Sequence, residues 1–258
     1  MISTIRTAAA SVLALGSVFA IPAMAEDNVQ LGVGVDYSSG DYGDTQDTKM
    51  LAVPVSVKVT TGNVFLRASL PYLHIKGPGS VVGGDGGAIP GGPAGPVTSN
   101  EGFGDLSLSA GYTLPVSDVT SVDFIGRVKV PTASESKNLG TGTTDWTAEA
   151  ALNQMVGPVM LSARGGRRFN GSSVRFPLRD VWLAGAGAYY QTGALTLGLD
   201  YDWREASLPT ASDRSEITAS ATYKLTPQLR LQGYGYKGFS NGSPDLGGGM
   251  QLLYRFGL

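Results

Sequence analysis

The chain of 258 residues contains no cysteine and only one histidine, His74. Without cysteine there is no disulfide framework, thiol nucleophile or thiolate metal site, and the remaining metal ligands are scattered carboxylates. We therefore expect no metal and no cofactor. The formal net charge is −2, whereas nucleic-acid binding needs a basic surplus, so we expect no nucleic-acid partner.

Long apolar runs are also missing after the first 25 residues, so the rest of the sequence predicts no membrane helix. Residues 1–25 carry Arg6 as their only charge, then an apolar run, then the small-x-small pattern Ala23-Met24-Ala25. This pattern predicts a signal peptide, residues 1–25, because the apolar run is too short for a membrane anchor. Residues 26–258 are then one domain, the barrel argued below.

Glycine and tyrosine are abundant, with 37 and 11 residues, in segments that alternate apolar and polar side chains. In the last segment, Gly247–Leu258, small or polar residues separate Met250, Leu252, Tyr254 and Phe256. Period-2 alternation predicts strands with one apolar and one polar face. Because no helices are predicted that would cover the apolar faces, we expect these to meet lipid and the polar faces to line a lumen.

About twelve such segments predict an all-β fold, a transmembrane antiparallel up-and-down β-barrel with short periplasmic turns and long extracellular loops. The connections alternate between long and short, and the longest is Lys76–Gly102. An even strand number places both chain ends on the periplasmic side. The predicted strands are Asn28–Tyr37, Met50–Thr60, Asn63–Leu73, Asp105–Leu114, Ser121–Val130, Asp145–Met155, Val159–Arg168, Asp180–Gln191, Leu195–Arg204, Ser215–Leu225, Gln228–Gly238 and Gly247–Leu258.

Outward-facing aromatic residues fall at two levels of this barrel, as expected for the two lipid–water boundaries. The cell outer membrane is therefore the predicted location, with outer-membrane lipid as the surrounding partner. The C-terminal strand, with aromatics at its tip, also resembles the signal read by the outer-membrane barrel assembly machinery, a second expected partner. The extracellular set is Tyr37, Tyr72, Trp146, Trp182, Tyr201 and Trp203, and the periplasmic set is Tyr112, Tyr190, Tyr223, Tyr254 and Phe256.

Four short motifs follow one another with a distinctive spacing: GFGDL at 102–106, KVPT at 129–132, LGTGTTD at 139–145 and GGRRFNG at 165–171. Their order and spacing resemble the outer-membrane transporter family labelled "MetA-pathway of phenol degradation". The resemblance runs from about the second strand to the C-terminus. It implies a β-barrel and uptake of small organic compounds, and it assigns no ligand-binding residue to this chain.

Charged residues collect on the predicted lumen face, where they must be paired or hydrated. They form either a salt-bridged plug or the wall of a wet pore, and barrel size does not decide between the two. The proposed pore-lining residues are Lys58, Arg67, Arg127, Lys129, Glu149, Arg164, Arg168, Asp200, Asp202, Glu216, Arg230 and Arg255.

These features predict an outer-membrane channel for passive passage of a small solute, such as a small aromatic or anionic organic compound. One alternative is a closed structural barrel that acts through its extracellular loops. Another is a lipid-modifying enzyme, which would need a base such as His74 beside a serine. His74 shares the outward parity of Tyr72, while Ser107 and Ser109 point inward, so we expect no triad, no catalytic residue and no enzyme.

Overall fold

The computed structural model describes residues 25–79, 81–84, 87–90 and 96–257. The predicted signal peptide lies outside these residues except for Ala25, where the first strand begins. The strands are β1 (Ala25–Gly40), β2 (Thr48–Gly62), β3 (Val64–Gly77), β4 (Val81–Gly84), β5 (Gly87–Pro90), β6 (Thr98–Phe103), β7 (Leu106–Pro115), β8 (Thr120–Val130), β9 (Asp145–Val156), β10 (Val159–Phe169), β11 (Val181–Thr192), β12 (Leu195–Arg204), β13 (Arg214–Lys224), β14 (Leu229–Gly238) and β15 (Leu246–Gly257).

The wall is a closed barrel of twelve antiparallel strands, because β1 pairs with β15 as well as with β2. Strands β6 and β7 both pair with β3 and form two pieces of one wall strand. The only other paired strands among the described residues, β4 and β5, form a separate hairpin within the second long connection, between β3 and β6. The predicted all-β barrel of about twelve strands is confirmed.

The apolar side chains lie on the outside of the barrel and the polar ones inside. Along β1, the outward side chains of Leu31, Val33 and Val35 are nearly half exposed, while the inward side chain of Gln30 is 6% exposed. Ten of the eleven predicted girdle aromatics are exposed, among them Trp146, and the exception is Trp203, which is half-buried. None of the helical segments in the described part of the chain is long and apolar enough to cross a membrane.

The longest connection contains more strand than the alternation predicts. β3 continues to Gly77, and β6 pairs with it where residues 98–102 were expected to be loop. The wall strand breaks at Gly104, whose N–H donates to the Pro71 carbonyl at 2.8 Å. Pro54 within β2 lies opposite Pro71 of β3 in an unbroken register, while the pairing of β2 with β1 is interrupted between Val55 and Ala52. Proline removes one donor without shifting the register.

Apolar residues of the long loops fold over the extracellular mouth and narrow it. Val81 and Leu139 pack on Met50, Leu73 and Ile75, which are inward-facing residues at the top of β2 and β3. A second cluster joins three different loops above the lumen. We call these loop residues the loop cap: Val81, Val82, Leu139, Phe176, Leu178 and Leu208.

The seam of the barrel is the contact between the first and last strands, β1 and β15. Two tyrosine side chains of β14 reach across the glycine-rich start of β15 to β1. The Tyr234 and Tyr236 hydroxyls of β14 donate to the Asp36 carboxylate of β1 at 2.8 and 3.0 Å, reaching over β15. A Cβ at Gly247 would lie 2.3 Å from the Tyr236 ring, and one at Gly249 would lie 2.6 Å from the Tyr234 hydroxyl. The two glycines are therefore needed for the rings to reach the first strand.

Removing both seam hydroxyls should weaken barrel closure. Tyr234→Phe with Tyr236→Phe takes two hydrogen bonds from a partly buried carboxylate, each worth about 1.5–3 kcal/mol. We expect a loss of about 2–4 kcal/mol in the free energy of unfolding, measured by urea titration of the barrel in lipid.

The matched control is Tyr254→Phe, because that ring is exposed on the outer face. Its hydroxyl lies in the periplasmic girdle and is hydrated, so stability should change little. An unchanged urea midpoint for the double variant would show that the seam hydroxyls do not hold the barrel closed.

Candidate functional site: the barrel interior

All twelve residues proposed from the sequence to line the lumen lie on the inward face of the barrel. Their neighbours along each strand point outward, as in β9, where Trp146 and Leu152 are exposed and Asn153 is buried. The twelve separate into four local arrangements: a basic row, a buried ion cluster, two ion pairs beside a cavity, and two more isolated sites.

Five basic residues lie in one continuous row across eight neighbouring strands. Reading the row from β15 to β10, each residue is directly opposite the next across a strand pair. The sequence of partners is Arg255, Gln30, Lys58, Arg67, Ser109, Arg127, Thr147 and Arg168. We call Arg255, Lys58, Arg67, Arg127 and Arg168 the basic row.

The basic row runs from the periplasmic end of the lumen to the extracellular end. Arg255 is bonded through its N–H to the carbonyl of Gln228, in a periplasmic turn, and Arg168 immediately precedes the last residue of β10. A row of paired residues changes height around a barrel because the strands tilt and their register is staggered. Lys58 and Arg67 are directly opposite, an arrangement of like charges that is destabilising by itself.

A buried ion cluster lies at the extracellular end of the row. The Lys129 ammonium contacts Asp105 at 2.9 Å and Asp145 at 3.2 Å and donates to the Thr141 hydroxyl at 2.7 Å. Asp145 also accepts from Arg168 at 2.6 Å. Lys129, Asp145 and Thr141 are at most 2% exposed, so water does not screen these charges.

This cluster brings together the four motifs that carry the family resemblance. Asp105 belongs to the first motif, Lys129 to the second, Thr141 and Asp145 to the third, and Arg168 to the fourth. The carboxylates also hold loop backbone, since Asp105 accepts from the Ala133 N–H at 3.0 Å and Asp145 from the Gly171 N–H at 2.9 Å. The motifs therefore fasten two extracellular loops to the barrel wall.

A cavity of about 50 Å³, room for a few waters, lies between the ion cluster and the opposite wall. Arg164 forms an ion pair with Asp202, and Glu149 lies beside them. Arg204 and Arg214 line the far side, and Arg214 donates to Glu216 at 2.7 Å. In total five arginines line the cavity, namely Arg127, Arg164, Arg168, Arg204 and Arg214, together with the two acids Glu149 and Asp202.

The last two predicted residues lie apart from these groups. Asp200 accepts a hydrogen bond from the Tyr189 hydroxyl, deep in the wall of β11 and β12. Arg230 is opposite Lys224 at the periplasmic end. Sequence reasoning missed Arg214 because it placed the strand start one residue later, and it missed the ion cluster because parity alone does not reveal which loops return to the lumen.

Ser107 and Ser109 lie on the inward face, away from His74, but a different serine lies beside it. His74 Nε2 lies 3.1 Å from the Ser99 hydroxyl, and His74 Nδ1 lies 3.4 Å from a Glu101 carboxylate oxygen. Residues 76–102 were predicted to be loop, whereas β6 carries Ser99 and Glu101 beside β3. In the described ranges no group of three or more His, Cys, Asp or Glu side chains is arranged to hold a metal.

Solved structures similar to this fold include outer-membrane channels and porins. An outer membrane channel from Pseudomonas putida F1 is 15% identical, with 92% of this chain and 98% of that chain covered and a TM-score of 0.66. The NanC porin is 11% identical over 88% of this chain and all of the other, with a TM-score of 0.57. The KdgM porin is 9% identical over 87% and 99%, with a TM-score of 0.54.

None of the curated proteins compared with the chain matches it. The barrel fold and its outward apolar belt place the protein in the cell outer membrane, since only closed barrels and helices span lipid. A family model matches residues 26–256, nearly the whole chain after the predicted signal peptide. The chain therefore belongs to the family described as "MetA-pathway of phenol degradation".

Proposed function

We propose that the protein is a passive outer-membrane channel for small organic anions, with the basic row as the path. The row is the observation that carries the proposal, because it offers positive charge at every level of the lumen. A low-dielectric wall beside a row of one sign raises the local concentration of the oppositely charged solute along that row. Passage itself then needs no chemistry, and for transport the chain is not an enzyme.

The opposed pair of Lys58 and Arg67 supports an anionic solute rather than a neutral one. Like charges directly opposite on two strands cost stability, and an anion between them offsets that cost. Five arginines and two acids line the cavity, and three of the arginines already pair with an acid, Arg164 with Asp202, Arg168 with Asp145 and Arg214 with Glu216. The lining is still richer in guanidinium groups than in carboxylates, and guanidinium groups bind carboxylates in a bidentate manner.

The loop cap supports an apolar body on the same solute. The loop cap covers the mouth, so a solute that displaces it from outside meets apolar side chains before it reaches the charged lumen. An aromatic or aliphatic acid satisfies both surfaces in turn, with its ring or chain at the cap and its carboxylate on the arginines. The family's label, which names phenol degradation, agrees with compounds of this type.

The test is ion selectivity of the full mature chain in planar bilayers. We expect an open channel whose reversal potential across a KCl gradient indicates chloride preference at low salt, fading as ionic strength rises. Arg67→Gln with Arg127→Gln should shift the reversal potential towards cations. In liposome-swelling assays benzoate should enter faster than neutral benzamide, and benzamide faster than benzylammonium.

The matched control loses the same charge outside the lumen. Lys49→Gln with Lys237→Gln removes two exposed, outward cations near the extracellular boundary, and selectivity should stay that of the wild type. Equal swelling rates for the three solutes, or a reversal potential unmoved by the lumen variant, would sink the anion path. A wild type without conductance would favour the closed barrel that acts through its loops.

A further inference from the structure

We infer that the outer surface of the barrel carries a serine-hydrolase site, formed by Ser99, His74 and Glu101, for acyl esters of anionic lipids. The three side chains have the connectivity of a nucleophile, a base and an orienting acid. Ser99 Oγ lies 3.1 Å from His74 Nε2, and His74 Nδ1 lies 3.4 Å from Glu101 Oε2. These contacts are within or close to the reach needed for proton transfer and orientation.

The pairing of β3 with β6 fixes this geometry. Tyr72 is opposite Phe103, His74 is opposite Glu101, and Lys76 is opposite Ser99, all on the outward face. His74 therefore contacts its direct partner through one ring nitrogen and the diagonal neighbour, Ser99, through the other. The Glu101 carboxylate, 3.4 Å from Nδ1, favours the proton on that nitrogen, which leaves Nε2 as the acceptor for the serine hydroxyl.

The site lies on the extracellular side of the lipid–water boundary. Tyr72 of the extracellular girdle and the exposed Phe103 form an edge-to-face pair with ring centroids 5.6 Å apart. His74 and Glu101 lie two residues beyond this pair along their strands, about 7 Å, and Ser99 lies two residues further. Aromatic girdles mark the lipid–water boundary, so the triad lies above it, among the headgroups of the outer leaflet, and a lipid must rise out of the leaflet to bring its ester to Ser99.

An open strand edge provides a donor for the oxyanion. The Gly104 N–H points towards β3, where it donates to Pro71, so alternation turns the backbone groups of residues 99, 101 and 103 away from β3. The 3.5 Å contact of the Lys137 ammonium with the Glu101 carbonyl on that side agrees with this direction. The Ser99 N–H therefore points to the edge of β6 that no strand of the described residues pairs with, and there it can donate to an oxyanion formed at its own side chain.

Two lysines select an anionic lipid. Lys49 is directly opposite Lys76, and Lys76 is directly opposite Ser99, so both cations lie in the row of the nucleophile. Like charges in direct opposition are unfavourable unless an anion lies between them. A phosphate in a lipid headgroup fits there, and it would hold the lipid with its ester beside Ser99.

The reaction is ester hydrolysis with water as the second substrate. Ser99 Oγ attacks the ester carbonyl carbon while His74 Nε2 takes the hydroxyl proton. The tetrahedral intermediate then breaks the carbon–oxygen bond, and His74 returns the proton to the leaving alcohol. Water, deprotonated by His74, attacks the acyl-serine, and His74 gives the proton back to Ser99, which releases a fatty acid.

A fluorophosphonate probe tests the site on the whole folded barrel. We expect a covalent adduct on Ser99, identified by mass spectrometry, and fatty-acid release from phosphatidylglycerol vesicles that contain the protein. Ser99→Ala and His74→Asn should abolish both signals, and Glu101→Gln should lower the rate about tenfold or more. Thr98→Ala, on the opposite face of the same strand, should behave as the wild type.

Substrate charge gives a readout that a structural role would not move. Lys49→Gln with Lys76→Gln should raise the KM for phosphatidylglycerol, and it should raise the KM for diacylglycerol, which carries no phosphate, by much less. The Ser99→Ala barrel should keep its conductance, because the triad lies outside the lumen. No adduct on Ser99 in the folded barrel, or equal fatty-acid release by wild type and Ser99→Ala, would overturn the inference.

Discussion

Replacing Lys129 by Met should cost about 3–5 kcal/mol of stability, the usual penalty when one partner of a buried ion pair is removed. Lys129 is 1% exposed and contacts both Asp105 and Asp145. Its loss leaves two buried carboxylates with Arg168 as the only cation of the cluster. The urea midpoint of the barrel in lipid should fall, and the loop 131–144 should become sensitive to protease.

A second substitution separates charge imbalance from lost packing. Lys129→Met with Asp105→Asn removes one charge of each sign and leaves the Arg168–Asp145 pair intact. Stability should recover in part, since no uncompensated charge stays buried. The exposed Lys237→Met variant is the control and should stay within about 0.5 kcal/mol of the wild type. A loss below about 1 kcal/mol for Lys129→Met would mean that the cluster does not anchor the loops.

Arginine at Leu199 should cost about 2–4 kcal/mol, because this side chain faces lipid near the middle of the membrane. Leu199 is 50% exposed on the outer face, between Tyr201 of the extracellular girdle and the Leu197–Tyr190 pair towards the periplasm. A guanidinium at this depth has no water and no partner within the lipid. The measurement is the free energy of unfolding in liposomes.

The inward control for this substitution must have room for the longer side chain. Gly198, the adjacent inward residue, is unsuitable because a Cβ there would lie 3.0 Å from the Tyr189 ring. Thr196, two residues further along the inward face, is half-buried. Thr196→Arg should be tolerated better than Leu199→Arg, and equal penalties at the two positions would contradict the assignment of the two faces.

Strand parity was enough to predict which side chains of the wall face inward. Apolar and polar side chains alternate along each strand. Because the apolar ones must face lipid and the polar ones the lumen, only one assignment of the two faces is possible. This is why residues as far apart in sequence as Arg67 and Arg168 were correctly assigned to the inward face. Parity also predicted the two aromatic girdles, because the height of each outward aromatic in the membrane is fixed by its distance along the strand from the nearest turn.

The contacts made by loops could not be predicted in the same way. Residues 98–103 are polar or small and carry no clear alternation, yet β6 forms because β3 provides an edge to pair with. The partner of His74 was therefore missed. The grouping of Asp105, Lys129 and Asp145 depends on loop backbone that returns to the wall, and no local pattern in the sequence encodes that return.

The ion cluster also has a consequence for how this sequence can change over evolutionary time. Asp105, Lys129, Asp145 and Arg168 carry two charges of each sign in a place that water does not reach. A single replacement leaves the group unbalanced, while a paired replacement of opposite charges restores neutrality. Among relatives that keep this fold, we expect the four positions to be substituted together, with Lys129 and Asp105 changing as a couple. The loops they hold are then free to vary in the residues that meet the solute.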